Sequence, residues 1–276
     1  MRQKNNNLIA LGIGFLLIML IALATFWRSR PSSQDQSGYD QLAKEQQAVS
    51  NNLNKATKLS PDDLMAKTRS RADIIMIDIR DSASFSQEHI LNSKNIPLPK
   101  LKDGLAALDK SKTYVIIDSG QALESTALAA GIMSDGGFKN IYYLDGGFSA
   151  WKNSYGPTIS AGDPNSFTDQ SKVNYVNSDQ IKNMLASAGT DLAVIDVRNS
   201  KDYAAGHIPS AINIFLDDLE KRRGDIPLGK KIIVYDNDGL GAFKAAVRLF
   251  DMGYYNTFAM SDGFNSWKQK NYQIAR

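Results

Sequence analysis

Hydrophobic positions fall into three regimes along this chain of 276 residues. From Leu8 to Trp27 they are continuous. The run LIALGIGFLLIMLIALATFW holds no charge, and about twenty residues rising 1.5 Å each match the ~30 Å hydrocarbon core of a bilayer. It predicts a transmembrane helix over residues 8–27. Arg2 and Lys4 precede it, and Trp27, Arg28 and Arg30 stand at its far boundary, where aromatic rings and snorkelling basic side chains settle. With the amino terminus counted, the basic residues ahead of the run favour an N-terminus inside and a body outside. Ala22-Leu23-Ala24 also offers the A-x-A site of a signal peptide, but an uncleaved anchor accounts better for the length of the run and for its interfacial residues. For a bacterial chain the expected place is therefore the inner (cytoplasmic) membrane, crossed once, with the body on the periplasmic or extracellular side.

Residues 28–57 form the second regime, polar and poor in apolar positions. They read as a tether, with a weak helix between Tyr39 and Leu59. The third regime begins near residue 58. Short β-branched runs such as Ile74–Ile77 and Val115–Ile117 end in polar residues and predict buried parallel strands. Segments with apolar residues three and four apart, Ser125–Met133 and Gly241–Phe250, predict the crossover helices between strands. The class is α/β, and active groups are expected at the carboxyl ends of the strands.

This third regime occurs twice. An offset of 118 places Asp78-Ile79-Arg80-Asp81 on Asp196-Val197-Arg198-Asn199, His89-Ile90 on His207-Ile208, Asn95-Ile96 on Asn213-Ile214, and Val115–Asp118 on Ile233–Asp236. Further on the offset is 116. It aligns Ala129-Ala130 with Ala245-Ala246, Gly137-Phe138 with Gly253-Tyr254, and Gly147-Phe148 plus Trp151 with Gly263-Phe264 plus Trp267. The first copy therefore carries two extra residues between Asp118 and Ala129. Each copy is of domain size, about 100 residues, rather than a solenoid unit. Two domains follow, over residues 58–155 and 174–276, joined by a linker over 156–173 whose length permits docking.

The order D-[IV]-R, H-I, N-I, a strand-to-loop residue, A-A, G-[FY] and the closing G-F-x-x-W resembles the rhodanese domain, here in tandem. The resemblance covers most of the chain beyond the N-terminal segment. It implies two domains, each a parallel-stranded sheet flanked by helices, and structural roles for Asp78, Arg80, His89, Asp196, Arg198, His207, Trp151 and Trp267. It also implies sulfur chemistry. In active members the residue after the next strand is a cysteine, whose thiolate takes sulfane sulfur while backbone N–H groups of the following loop cradle negative charge.

Composition changes that picture. The chain has no cysteine, which removes a persulfide carrier and every other mechanism that needs the chain's own thiolate. The nucleophile position holds Asp118 in the first copy and Asp236 in the second. Ser119 and Gly120 follow in one loop and Asn237, Asp238 and Gly239 in the other, while Gly241 stands where the family's arginine is usual. A carboxylate fixed in an anion cradle repels a second anion, by roughly 1 kcal/mol at 4 Å in water and 4 at an effective dielectric of 20. It can also cap the helix start.

The net charge of +3 does not indicate nucleic acid, because the excess lies in the N-terminal segment and Lys221-Arg222-Arg223 is offset by neighbouring acids. No metal site or cofactor is expected. The leading expectation is a membrane-tethered pseudoenzyme without sulfurtransferase activity that binds or scaffolds a protein partner. Three alternatives stand beside it. One is residual sulfurtransferase activity. Another is a Mg²⁺-dependent phosphatase, since Asp236-Asn237-Asp238-Gly239 resembles the nucleophile motif of haloacid dehalogenase-type enzymes. The third is a neutral or cationic ligand held near Asp118, Glu124, Asp236 and Asp238.

Overall fold

A computed structural model of the chain describes residues 33–70, 72–121, 123–187 and 191–276. The predicted membrane segment 8–27 lies outside them. Among the described residues no helix is long and apolar enough to cross a membrane. The chain divides into two compact units, residues 1–51 and 52–276. Most of the polar stretch read as a tether is helical: Ser33–Leu53 forms one helix, built on Gln, Ala, Lys and Glu, which lose little side-chain freedom in a helix. The helix starts earlier and ends earlier than the pattern suggests, because its weak periodicity gives no regular apolar stripe to mark the ends.

The second unit holds both copies of the repeat. In chain order its first strands are β1 (Thr57–Leu59), β2 (Ile74–Asp78), β3 (Glu88–Ile90), β4 (Lys94–Asn95), β5 (Thr113–Ile117), β6 (Ile141–Leu144) and β7 (Thr158–Ser160). The remainder are β8 (Asn174–Val176), β9 (Leu192–Asp196), β10 (Ile212–Asn213), β11 (Lys231–Tyr235) and β12 (Thr257–Met260). Two five-stranded sheets result, in the orders β1-β6-β5-β2-β4 and β8-β12-β11-β9-β10. Every pairing within them is parallel. β5 and β11 are the central strands, so the residues that follow them, Asp118 and Asp236, emerge in the middle of each sheet's carboxyl edge.

Strand alternation feeds two apolar layers per domain. Tyr114 and Ile116 join Ala129, Ala130 and Met133 of the helix Leu123–Asp135 on one face, while Val115 and Ile117 join Leu64, Phe148 and Trp151 on the other. The second domain repeats this. Ile232 and Val234 meet Ala242, Ala245, Ala246 and Leu249 of the helix Leu240–Asp251, and Ile233 and Tyr235 meet Ile181, Phe264 and Trp267. Sheets covered on both faces need the continuous apolar runs that mark these strands in the sequence.

The segment 156–173 is more than a linker. Its β7 pairs antiparallel with β3 of the first domain, setting His89 opposite Ile159, while the Ile159 side chain lies in the core layer of the second domain. Phe167–Gln170 then forms a short helix. Lys172 bridges Asp169 and Asp251 at 2.9 Å each, and Asp251 accepts the Ser160 N–H at 2.9 Å. One strand thus belongs to the sheet pairing of one domain and to the core of the other. In the second domain the chain's last residues take the equivalent place, with Ala275 paired to His207.

Candidate functional site

β2 and β9 each end in an aspartate that organises the loop after it. Asp78 accepts the Arg80 backbone N–H at 3.0 Å and is gripped by the Arg80 guanidinium at 2.6–3.1 Å. Arg80 also donates to the Glu88 carbonyl at 2.9 Å and lies 3.8 Å over the Phe148 ring. The second copy matches it. Arg198 binds Asp196 at 2.5–3.1 Å, donates to the Gly206 carbonyl at 2.8 Å and covers Phe264 at 4.2 Å. Both carboxylates are fully buried, and a bidentate guanidinium is the partner that makes such burial tolerable. Burial works against the Arg198 charge, yet Asp196 outweighs it and holds the guanidinium above its usual range. Trp151 and Trp267 are buried and donate their indole N–H to the Pro157 carbonyl at 3.1 Å and the Gln273 carbonyl at 2.9 Å. These tie each G-F-x-x-W helix to the strand or tail that follows it.

The loops after the central strands differ in how their aspartates are held. Asp118 is buried, and its Oδ1 accepts the Gly120 N–H at 3.0 Å while its Oδ2 accepts the Ser125 hydroxyl at 3.2 Å. Its carbonyl accepts from the Phe148 N–H at 2.8 Å, and Ser119 accepts from Ser149. Gly147 is obligatory here, since it sits at φ +55° and a Cβ on it would stand 2.2 Å from Asp118 Oδ1.

Asp236 is half-buried and reaches into the start of the helix Leu240–Asp251. Its Oδ1 accepts the Gly239 N–H at 2.7 Å and its Oδ2 the Gly241 N–H at 2.8 Å. Burial pushes the Asp236 carboxyl up and the neighbouring Asp238 adds to that, against the N–H groups of Gly241, Gly239 and Ala242. Asp238 caps Leu240 at 3.2 Å, and the Asn237 amide oxygen lies 3.4 Å from Arg198. Gly241 has a steric reason to be glycine, because a Cβ there would lie 2.7 Å from Asp236 Oδ2. The carboxylate therefore occupies the loop's N–H groups and the space an arginine stem would need. Among the described residues no group of three or more His, Cys, Asp or Glu converges as metal ligands would.

The two histidines stand away from these loops. Each sends Nδ1 to the carbonyl four residues earlier, His89 to Phe85 at 2.9 Å and His207 to Tyr203 at 3.1 Å, and each stacks on that aromatic ring. His89 then crosses to the other domain, its Nε2 lying 2.9 Å from Glu220 Oε2, while the Asn92 N–H donates to Glu220 Oε1 at 2.9 Å. Burial works against the Glu220 charge, but His89 and the Asn92 N–H outweigh it and hold the carboxyl below its usual range.

Glu220, Asn92, Lys172 and Asp251 carry the contact between the domains, and the sequence singles out none of them for it. In the sequence Glu220 is one of the acids that offset Lys221-Arg222-Arg223. No local pattern marks a residue whose partner is over a hundred positions away. The internal repeat offers one indirect signal, since position 102, the equivalent of Glu220, is a lysine.

Two parallel-sheet domains, each with a loop at the carboxyl end of its central strand closed by a G-F-x-x-W helix, define a tandem of rhodanese-type α/β domains. The model of the rhodanese-like domain matches residues 60–154 and again 177–270. The chain belongs to the rhodanese-like domain family, with two domains and no cysteine. It is 34% identical over 91 residues to thiosulfate sulfurtransferase GlpE of Coxiella burnetii, covering 33% of this chain and 82% of that protein. To GlpE of Pseudomonas aeruginosa it is 35% identical over 89 residues, 32% of this chain and 78% of that one. Among solved structures, thiosulfate sulfurtransferase from Pseudomonas aeruginosa aligns with a TM-score of 0.42 and 21% identity, covering 80% of this chain, which spans 43% of that protein's chain. The rhodanese-like domain of the Anabaena sp Alr3790 protein aligns with a TM-score of 0.35 and 26% identity, over 37% of this chain and 78% of that one.

Proposed function

We propose that this chain is a binding or scaffold module on the rhodanese fold, without sulfurtransferase activity and held at the membrane by residues 8–27. The observation that carries the reading is the Asp236 carboxylate seated on the Gly239 and Gly241 N–H groups at 2.7 and 2.8 Å. A side chain of the protein itself takes the donors that stabilise a substrate anion in sulfur transfer, and it brings a negative charge that repels thiosulfate. Asp118 does the same in the first domain through Gly120 and Ser125. An aspartate oxygen cannot take up sulfane sulfur, so no covalent intermediate forms at either position.

The GlpE relatives are thiosulfate sulfurtransferases by name, which makes that activity the one to test. The full chain is assayed for sulfur transfer from thiosulfate and from mercaptopyruvate to cyanide and to dithiothreitol. Rates at the uncatalysed level are expected. A rate above it that is lost in Asp236→Ala or Asp118→Ala would overturn the reading and restore an enzyme.

A further inference from the structure

The two repeats share a histidine corner but use it differently. In the first, His89 Nε2 and the Asn92 N–H each hold one oxygen of Glu220 at 2.9 Å. The second reproduces every part of that corner. His207 is fixed through Nδ1 on the Tyr203 carbonyl and by stacking at 3.9 Å on the Tyr203 ring, as His89 is on Phe85 at 4.0 Å. Ser210 takes φ +68° where Asn92 takes +65°. Both turns close alike, through Ala211 N–H to Ile208 O at 3.0 Å and Ser93 N–H to Ile90 O at 2.9 Å. Yet among the described residues neither His207 Nε2 nor the Ser210 N–H has a protein partner. His207 is only 9% exposed, and since no buried side-chain polar atom among the described residues lacks a partner, solvent reaches its Nε2.

The surroundings suit an acid. Beside Ser210 lies a cleft of about 470 Å³ whose lining includes Lys182, Pro209, Trp267 and Tyr272 and no carboxylate. In the first domain Leu91, the equivalent of Pro209, packs against the core of the second domain next to the Glu220 contact. The occupied corner thus combines a carboxylate grip with an apolar contact, and the second corner offers both components again.

We propose that His207 Nε2 and the Ser210 N–H receive a Glu or Asp side chain of a partner protein, whose neighbouring apolar residue enters the cleft beside Pro209 and Trp267. A second copy of this chain cannot repeat the Glu220 contact from its first domain, because the equivalent position there is Lys102. The tandem therefore ends in an acid-accepting corner that its own first domain does not fill. This inference rests on the binding-module reading, whose failure would show as sulfur transfer and not in the measurement that follows.

The chain has two histidines, so ¹⁵N-histidine labelling of the full chain gives two imidazoles. His207 is the reporter and His89, held by Glu220, is the internal reference. The probe is a synthetic peptide of residues 214–226, which carries Glu220 with its flanking apolar residues, compared with the same peptide bearing Glu220→Gln. A saturable change at His207, at least tenfold weaker with the Gln peptide, is the expected result. In Glu220→Gln protein the peptide is expected to reach His89 as well, which shows that the corner geometry itself recognises the acid. No change at His207 up to millimolar peptide, or an equal response to the Gln peptide, overturns the proposal. Glutarate as effective as the peptide also overturns it, in favour of a site for free carboxylates.

Discussion

His89 of the first domain and Glu220 of the second face each other at 2.9 Å, imidazole Nε2 to carboxylate Oε2. The geometry sets the His89 ring between two acceptors. His89 Nδ1 points at the Phe85 carbonyl at 2.9 Å, which can only accept, so Nδ1 donates. Nε2 faces the Glu220 carboxyl, which is held below its usual range. With a side-chain exposure of 10% for His89 and 28% for Glu220, this is a sheltered polar contact between domains. Its removal reads directly on how firmly they are joined.

Replacing Glu220 by Gln keeps the shape and removes the charge. A hydrogen bond to a charged group contributes about 1.5–3 kcal/mol, and partial exposure moves the expected loss toward the lower figure. Urea unfolding of the full chain is expected to shift to a lower midpoint by that amount. Protease cleavage between Gly162 and Ser166 is expected to accelerate. An unchanged midpoint with unchanged cleavage means the domains are held by their other contacts, Ile159, Leu91 and Lys172 among them.

The same pair makes a signed prediction with pH. The folded protein holds the Glu220 carboxyl below its ordinary 4.5, so the unfolded chain takes up the proton more readily. The stabilisation from Glu220 is therefore fully present above about pH 4.5 and is lost as pH falls through the lowered folded value. The stability difference between wild type and Glu220→Gln is expected to shrink as pH falls below that value. A difference that grows on acidification would contradict an ionised Glu220.

Asp236→Cys tests the cradle in a chain with no other thiol. A sulfur on the Gly239 and Gly241 N–H groups at a helix start is favoured as thiolate, so its pKa is expected below the ordinary ~8.5. The pH dependence of iodoacetamide alkylation measures it. Asp118→Cys has one such N–H, from Gly120, and a hydroxyl, and a smaller depression is expected there. A thiol of ordinary reactivity at 236 would mean that the loop does not act as an anion cradle.

Asp236 and Gly241 are also coupled by volume, since a Cβ at 241 would stand 2.7 Å from Asp236 Oδ2. Gly241→Ala is expected to cost about 1–3 kcal/mol in the wild type. In an Asp236→Ala background the obstruction is gone and most of that cost should vanish, giving a coupling above ~0.5 kcal/mol in a double-mutant cycle. Additive changes would show that the loop shifts freely and that the two positions are independent.

What the sequence makes legible follows from how far apart the interacting parts lie. β2, β5, β9 and β11 stand out because a strand buried on both faces must be an apolar run. Asp118 and Asp236 stand out because the repeat aligns each with the strand before it. β7 does not. Its three residues pair with β3 residues 68 to 72 positions away and place one apolar side chain, Ile159, in a foreign core, so no local period records them. Lys172 and Glu220 look like ordinary surface charges, since only the docked arrangement gives them buried partners. The helix Ser33–Leu53 is faint for the opposite reason: its described side chains, from residue 40 on, are nearly all exposed, so its pattern carries little constraint.

Lys172 supplies the strongest test of the docked arrangement. Its ammonium lies 2.9 Å from both Asp169 and Asp251, with side-chain exposures of 16%, 8% and 10%. Burial works against its charge, and the two carboxylates outweigh that and hold it above its usual range. Burial pushes the Asp251 carboxyl up despite Lys172 and the Ser160 N–H. Lys172→Met removes the cation while its thioether fills the space, leaving two sheltered carboxylates facing each other. Breaking such a set from one side costs about 3–5 kcal/mol. Because the unpaired acids gain most from taking up a proton, the variant's deficit is expected to narrow on acidification toward the ordinary carboxylate range. Lys172→Met combined with Asp251→Asn should recover part of the loss at neutral pH. A single variant as stable as the wild type would mean that Asp169 and Asp251 are solvated, and that the linker does not lock the second domain to the first.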